Sequence, residues 1–193
     1  MMTITTRELT TADWPQIEAL FSSNGACGGC WCMSWRIGKG EKWDLIKGDE
    51  AKSRLRALIE SGEAKGILAF AGEEPVGWCT FGPRRHFAKL DRAPSLACDD
   101  ADQVWSIPCF FVKKGHRGQG VSRSLLAAAQ EALIRHGAQV AEVYPAKPPA
   151  DGSQLPAAFA WTGPRAMFDA AGFVVVGNPD GGKQRMRRAL VVN

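Results

Sequence analysis

The chain has 193 residues, 45% of them hydrophobic, which suits one domain with a sizeable core and falls short of two ordinary ones. Its net charge of +4 comes from 24 basic and 20 acidic residues. These are interspersed, too mild a balance for a nucleic-acid footprint, though one that favours an anionic cofactor through long-range attraction.

Residues 3–9 alternate well enough for a first strand. Thr10, Thr11, Ala12 and Asp13 then precede Trp14, Ile17, Leu20 and Phe21, which predicts a helix start and one apolar helical face, with Pro15 in the first turn. Residues 24–40 form a loop rich in Gly, Cys and Trp. A second helix over residues 49–61 places Leu55, Leu58 and Ile59 on one face and stops at Gly62. Residues 66–71 and 75–81 predict two strands joined by a Gly72-Glu73-Glu74 turn, an antiparallel hairpin, and residues 82–100 predict loop.

The next strand, residues 103–112, contains Pro108, which cannot donate to a ladder and belongs at a bulge or where neighbouring strands part. A helix from Val121 repeats Leu125, Ala129 and Leu133 at i+4 spacing and closes at Gly137, and residues 139–144 return as a strand, giving a β-α-β unit. The proline-rich residues 145–156 are too long for a tight connection and predict a cap over a cleft. Gly163-Pro164 opens a helix to Ala171; Gly172-Phe173 and strands over residues 174–177 and 185–192 finish the chain. The basic cluster Lys183, Arg185, Arg187 and Arg188 is expected to be the wet face and end of that last strand. No basic-then-apolar leader or bilayer-length apolar run is evident, so a cytoplasmic protein with no membrane partner is expected.

Six cysteines occur, at positions 27, 30, 32, 79, 98 and 109. Without a leader a disulfide framework is the weaker interpretation, and Cys79 and Cys109 lie in apolar strand patterns where cysteine acts as a small buried hydrophobe. The Cys27, Cys30, Cys32 spacing suits zinc, yet a closed site needs a fourth ligand that only Cys98 could bring from afar. The expectation is no metal and a glycine-hinged loop with partly buried thiols, with zinc and redox roles as the alternatives.

The stretch Arg117-Gly118-Gln119-Gly120-Val121-Ser122 joins an apolar strand to a helix. Two missing β-carbons let N–H groups converge on an anion, and the opening helix adds unpaired donors and roughly +0.5 charge of dipole, so the expected guest is a pyrophosphate. A dinucleotide turn wants G-x-G-x-x-G after the first strand of a mainly parallel sheet. Here the order from Gly115 is reversed and follows an antiparallel hairpin, which makes Glu142 a decoy for a ribose-binding acid. A P-loop also fails, because no Gly-Lys-Ser/Thr triplet follows.

This turn resembles the acyl-CoA-binding motif of the GNAT superfamily of N-acetyltransferases, Arg/Gln-x-x-Gly-x-Gly/Ala, with Ser122 at the last small position. The helix-strand-strand order before it, the strand after it, and Met167-Phe168-Asp169-Ala170-Ala171-Gly172-Phe173 extend the resemblance over almost the whole chain. It implies one domain over residues 1–193, an α/β sandwich with a mixed, mostly antiparallel sheet splayed between its fourth and fifth strands. An acceptor loop over residues 24–40, a CoA motif over 104–136 and a lid-like loop over 145–160 follow from it. The implied activity is transfer of acetyl from acetyl-CoA to a primary amine of a small molecule or peptide by direct attack. Main-chain groups at Phe110, Phe111 and Val112 would pair with the pantetheine arm. Amides of Gly118, Gln119, Gly120, Val121, Ser122 and Arg123 would take the pyrophosphate, with added charge from Arg117 and Arg123.

Many members carry a tyrosine where this chain has Phe168, which cannot protonate a leaving thiolate. A thiol pKa near ~8.5 makes that loss tolerable. Tyr144 is the one tyrosine in the chain and the candidate substitute acid. Asp102, Glu142 and His86 are the candidate bases. Trp31 and Trp35 with Arg36 form a candidate acceptor pocket, apolar with one cationic contact, against the alternative that both indoles pack on the sheet edge; Trp105 and Trp161 are expected in the core. The competing functions are a non-catalytic acyl-CoA-binding protein and a thiol or metal protein. No nucleic-acid partner is expected, and a homodimer stays open.

Overall fold

Apolar alternation, a turn glycine and a hairpin-length spacing set the first half of the sheet, and one proline sets where it opens. The computed structural model describes residues 3–22, 24–147, 149, 161–178, 180 and 182–190. In chain order its elements are β1 (Ile4–Glu8), α1 (Trp14–Phe21), α2 (Trp43–Ile46), α3 (Asp49–Glu60), β2 (Lys65–Ala71), β3 (Glu74–Pro83), β4 (Val104–Val112), α4 (Val121–Arg135), β5 (Val140–Val143), α5 (Arg165–Ala170), β6 (Val174–Val176) and β7 (Arg185–Ala189). The strands form one sheet in the order β1-β2-β3-β4-β5-β7-β6. Every neighbouring pair is antiparallel except β4 with β5, the parallel pair that a β-α-β crossover makes.

Each face of the sheet carries its own core. On one side α1, the loop after it and α3 bury Ile17, Phe21, Trp31, Trp35, Leu55 and Ile59 against Leu68 and Trp78. On the other, α4 buries Val121, Leu125, Leu126, Ala129, Ala132 and Leu133 against Ile67, Cys79, Phe81 and Ile107. Its approach to the sheet requires Gly77, because a β-carbon there would stand 2.7 Å from the Val121 Cγ1. The turn before α1 is fixed by Asp13, which accepts two hydrogen bonds from Arg7 (2.7 and 2.6 Å) and two from Thr10.

The feature that shapes the site is the parting of β4 and β5. They pair only through Val104 with Val140, Trp105 with Ala141 and Ser106 with Glu142. Beyond Ser106, β4 keeps β3 as its one partner among the described residues, after a register slip opposite residues 106–109. Pro108 lies inside that slip, with no N–H to offer either neighbour.

Three expectations change. Residues 24–40 are wound more tightly than a plain loop, through a wide turn at Gly25–Gly29 and left-handed backbone at Trp31 (φ 42°) and Cys32 (φ 54°). The single turn of α2 was not anticipated, since four residues show no period. Residues 82–100 contain 3-10 turns at Arg84–His86 and Leu90–Arg92, around a fully buried Arg84. The expected lid over residues 145–160 falls largely outside the described residues, as does the end of the last strand. Among the described residues no helix is long and apolar enough to cross a membrane.

Candidate active site

The open half of β4 turns main-chain groups away from β3. Lys113 N–H donates to Val76 O on β3 at 2.9 Å, so by strand alternation the N–H and C=O of Val112 and Phe110 face the opposite way, into the gap left by β5. Two side-chain donors confirm that direction: Trp35 Nε1–H reaches Pro108 O at 3.1 Å and Arg117 Nε–H reaches Val112 O at 3.0 Å. Trp35 is thereby a wedge at the apex, its ring 6.1 Å from Tyr144 on the other arm.

At the mouth of the gap lies the glycine turn. Gly118 (φ 75°) and Gly120 (φ 85°) hold left-handed backbone that other residues adopt only with strain. Among the described residues the N–H groups of Gly118, Gln119, Gly120, Val121 and Ser122 have no hydrogen-bond partner; that of Arg123 is spent on Gly120 O at 2.9 Å. The Gln119 side chain bonds Gly115 O rather than facing the groove. These amides stand at the start of the 15-residue α4, where the helix dipole adds to them. The groove beside them measures about 320 Å³ and takes in Val112, His116, Arg117, Ser122, Arg123 and, from the opposite arm, Pro164 and Met167.

Further in, a pocket of about 220 Å³ is lined by Ala26, Cys27, Cys30, Cys32, Ser34, Trp43, Cys109, Phe110, Phe111 and Trp161. Cys27, Phe110, Phe111 and Trp161 also line the channel to Arg117 and Ser122. Among the described residues the lining contains no Asp, Glu, Lys, Arg or His side chain, and burial pushes the Cys27 thiol up and the Cys30 thiol up to about 12. Cys32 Sγ accepts from Trp78 Nε1 at 3.1 Å and lies 3.7 Å from Cys109 Sγ. Among the described residues no group of three or more His, Cys, Asp or Glu side chains is placed to hold a metal. Two ammonium groups stand at the rim. Lys89 Nζ is 3.4 Å from Ser34 Oγ and 5.9 Å above the Trp35 ring, and Lys183 Nζ is 4.9 Å above the Trp161 ring. Burial and then the charge of Lys89 hold the Lys183 ammonium below its usual range, against an opposing pull from Cys109.

The residues expected to shape this pocket sit elsewhere. Trp31 is buried, stacked on Trp14 at 5.8 Å and edged by Phe21 at 5.6 Å. Trp35 fills the apex, and Arg36 turns to the Phe87 ring at 4.6 Å. The left-handed turn at Trp31 and Cys32 sends the indoles into the core and leaves thiols on the pocket wall. Their places are taken by Trp43 and Trp161. Trp161 was expected in the core and Trp43 carried no signal, being one aromatic among charges.

Glu142 and Tyr144 also stand apart from the pocket. Both are fully buried where β4 and β5 part. Glu142 Oε1 accepts from Arg84 Nη1 (2.6 Å) and the Tyr144 hydroxyl (2.7 Å), and Oε2 from Arg187 Nε (2.5 Å) and Arg185 Nη1 (3.4 Å). The Tyr144 oxygen further meets Arg84 Nη1 (2.8 Å) and Ser106 Oγ (2.5 Å). Burial, with the Glu142 charge behind it, holds the phenol well above its ordinary range. This is a clasp between the two arms, and its lone pairs are spent. Arg84 was missed because nothing in Gly82-Pro83-Arg84-Arg85 says which arginine turns inward. Asp102 is exposed and paired with Arg85, and His86 lies on a separate groove with Arg36. Phe168 is buried between Phe110 (5.9 Å) and Phe173 (5.8 Å).

A family model described as the acetyltransferase (GNAT) family matches residues 33–152. Among solved structures, the chain is similar to the PaiA N-acetyltransferase of Thermoplasma acidophilum in complex with coenzyme A (16% identity, 97% of this chain and 99% of that one, TM-score 0.56). It is likewise similar to YncA of Salmonella typhimurium with acetyl-CoA (16%, 98% and 95%, 0.57) and to the ribosomal-protein-alanine N-acetyltransferase of Brucella melitensis (19%, 96% and 99%, 0.56). No curated protein matches.

Proposed function

Because the chain belongs to the GNAT family of acetyltransferases, we propose that it transfers acetyl from acetyl-CoA to a primary amine of a small molecule or peptide by direct attack. We read residues 1–193 as one such domain. The observation that carries the reading is the row of unspent amides from Gly118 to Ser122, opening on the same gap as the unpaired edge of β4. The residues fit the cosubstrate: the amides and α4 dipole suit a diphosphate, and the Phe110 N–H and C=O with the Val112 N–H present a strand-like edge to a pantetheine arm, the Val112 carbonyl being held by Arg117. Acetyl-CoA supplies the thioester and a thiolate leaving group.

The chain supplies position and environment. Phe110 N–H faces the gap and is the donor for charge developing on the thioester oxygen. Phe111, Trp43 and Trp161 exclude water and seat the acceptor. An amine must arrive deprotonated to attack, and among the described residues no carboxylate lines the pocket to hold it as an ammonium, while Lys89 and Lys183 at the rim disfavour a third cation there. Deprotonation is thus met by the field of the pocket and by water rather than by a dedicated base.

A second reading, an acyl-CoA-binding protein without turnover, is favoured by the same spent state of Glu142 and Tyr144 and by Phe168. A panel of small and peptide amines followed by free-thiol release separates them. Thiol release above hydrolysis with at least one amine supports transfer. Binding of CoA, seen as a raised melting temperature, with no amine turned over supports the second reading. Absence of any shift with millimolar CoA or acetyl-CoA ends both.

A further inference from the structure

Cys32 and Ser34 face the acceptor pocket, whereas Met33 and Arg36 of the same stretch line a different groove, about 560 Å³, completed by Arg54, Leu58 and His86. The two cavities share no lining residue. Arg36 is held with its guanidinium carbon over the Phe87 ring, 4.6 Å from the centroid. Its Nε is buried with no hydrogen-bond partner, and among the described residues no acceptor or carboxylate bonds the rest of the group. Burial lowers its pKa to about 10 against smaller opposing pulls from Cys32 and Glu63, as befits a buried cation that closes no ion pair among the described residues.

No described neighbour closes an ion pair with it. Arg54 is spent on Glu41 and Glu50. Glu63, the one acid of the lining, accepts from Ser61 Oγ at 3.4 Å and reaches Arg36 only through space. His86 is held below its ordinary range by burial and then by Arg36. The groove therefore presents a fork of unspent donors beside an apolar floor of Met33, Ala57 and Leu58.

We propose that this groove is a second ligand site, separate from acetyl transfer, which binds a small organic anion, a carboxylate or phosphate monoester with a short apolar body, on the Arg36 guanidinium. A planar fork with free N–H groups pairs such anions in bidentate fashion, and the apolar body would lie on Met33 and Leu58. An anion bound there sits behind the wall that carries Cys32 and Ser34.

The three histidines report three places. His86 lines this groove, His116 lines the groove of the glycine turn, and His136 is packed against Trp105 and Phe81. Imidazole NMR signals at fixed pH, assigned with His86→Gln, are followed on the whole protein with CoA present while inorganic phosphate, phenyl phosphate or phenylacetate is added. The His86 signal should move saturably with phenyl phosphate or phenylacetate while His136 stays still. Phenyl phosphate should bind more tightly than inorganic phosphate, and Arg36→Gln should weaken binding about tenfold or more, with Arg36→Lys between. Ala57→Asp, which sets a carboxylate beside Arg36 from an exposed helical position, should abolish binding without touching the core. A His86 signal unmoved by all three probes, or moved equally in Arg36→Gln and Ala57→Asp, overturns the proposal. CoA itself should move His116; its failure to do so counts against acetyl transfer and leaves the His86 readout standing.

Discussion

Two clusters of polar groups flank the point where β4 and β5 separate, and they are opposites. The Gly118–Ser122 turn keeps five amides without a protein partner, whereas the Arg84, Glu142, Tyr144 and Ser106 clasp spends nearly every lone pair within the protein. Unspent donors on rigid backbone make a place for a ligand; mutually spent charges in the interior make a hinge pin. The contrast assigns recognition to main chain and structure to the most eye-catching side chains.

The largest effect should come from breaking the pin. Glu142→Gln removes the buried charge shared by Arg84, Arg185 and Arg187 and leaves Arg84 with the half-exposed Asp91 and Arg187 with Asp100, and losing one member of a buried pair costs about 3–5 kcal/mol. Urea unfolding should show a loss of that size. A variant of wild-type stability whose only defect is in the pH-rate profile would instead mark Glu142 as a base. Next comes the opposite cluster. Gly120→Asp places a carboxylate and a strained left-handed residue at the amide row, so CoA affinity by calorimetry should fall about a hundredfold or more, roughly 2.7 kcal/mol, while unfolding loses only the strain, about 1 kcal/mol. Retained affinity would show that the diphosphate binds elsewhere.

How far these two regions could be read from sequence follows from the same contrast. Backbone sites announce themselves through glycine order and helix punctuation, so the turn, the strand before it and the opening at Pro108 were legible. Side-chain environments depend on rotation of a loop by a few left-handed residues. Trp31 and Trp35 therefore went to the core and Cys30 and Cys32 to the pocket wall, although both types lie in one six-residue stretch. Glu142 and Tyr144, two apart on β5 and just past its end, do share one face as strand spacing requires. What the sequence withheld is that Arg84, about 60 residues away, meets them there.

Tyr144→Phe sharpens the division at a smaller scale. It removes one hydroxyl from the clasp and leaves Glu142 and Ser106 short of a partner, which should cost about 1–2 kcal/mol. Turnover at saturating substrates should stay within about twofold, since the ring remains beside Trp35. A loss of about a hundredfold in kcat, with stability kept, would make Tyr144 the general acid.

The smallest effect belongs to the outer edge of the clasp, where Arg187 donates to both Asp100 oxygens at 2.7 Å. Those hydrogen bonds hold the Asp100 carboxyl well below the usual carboxylate range. A carboxyl with a depressed folded pKa adds stability that is present above its unfolded value, near ~3.9, and is lost as pH falls below it. Melting temperature should therefore decline below about pH 4, and Asp100→Asn should flatten that decline while lowering the neutral-pH value only slightly, because the pair is partly exposed. An unchanged acid slope in the variant would move the titration to the interior of the pin, and with it the boundary between the spent cluster and solvent.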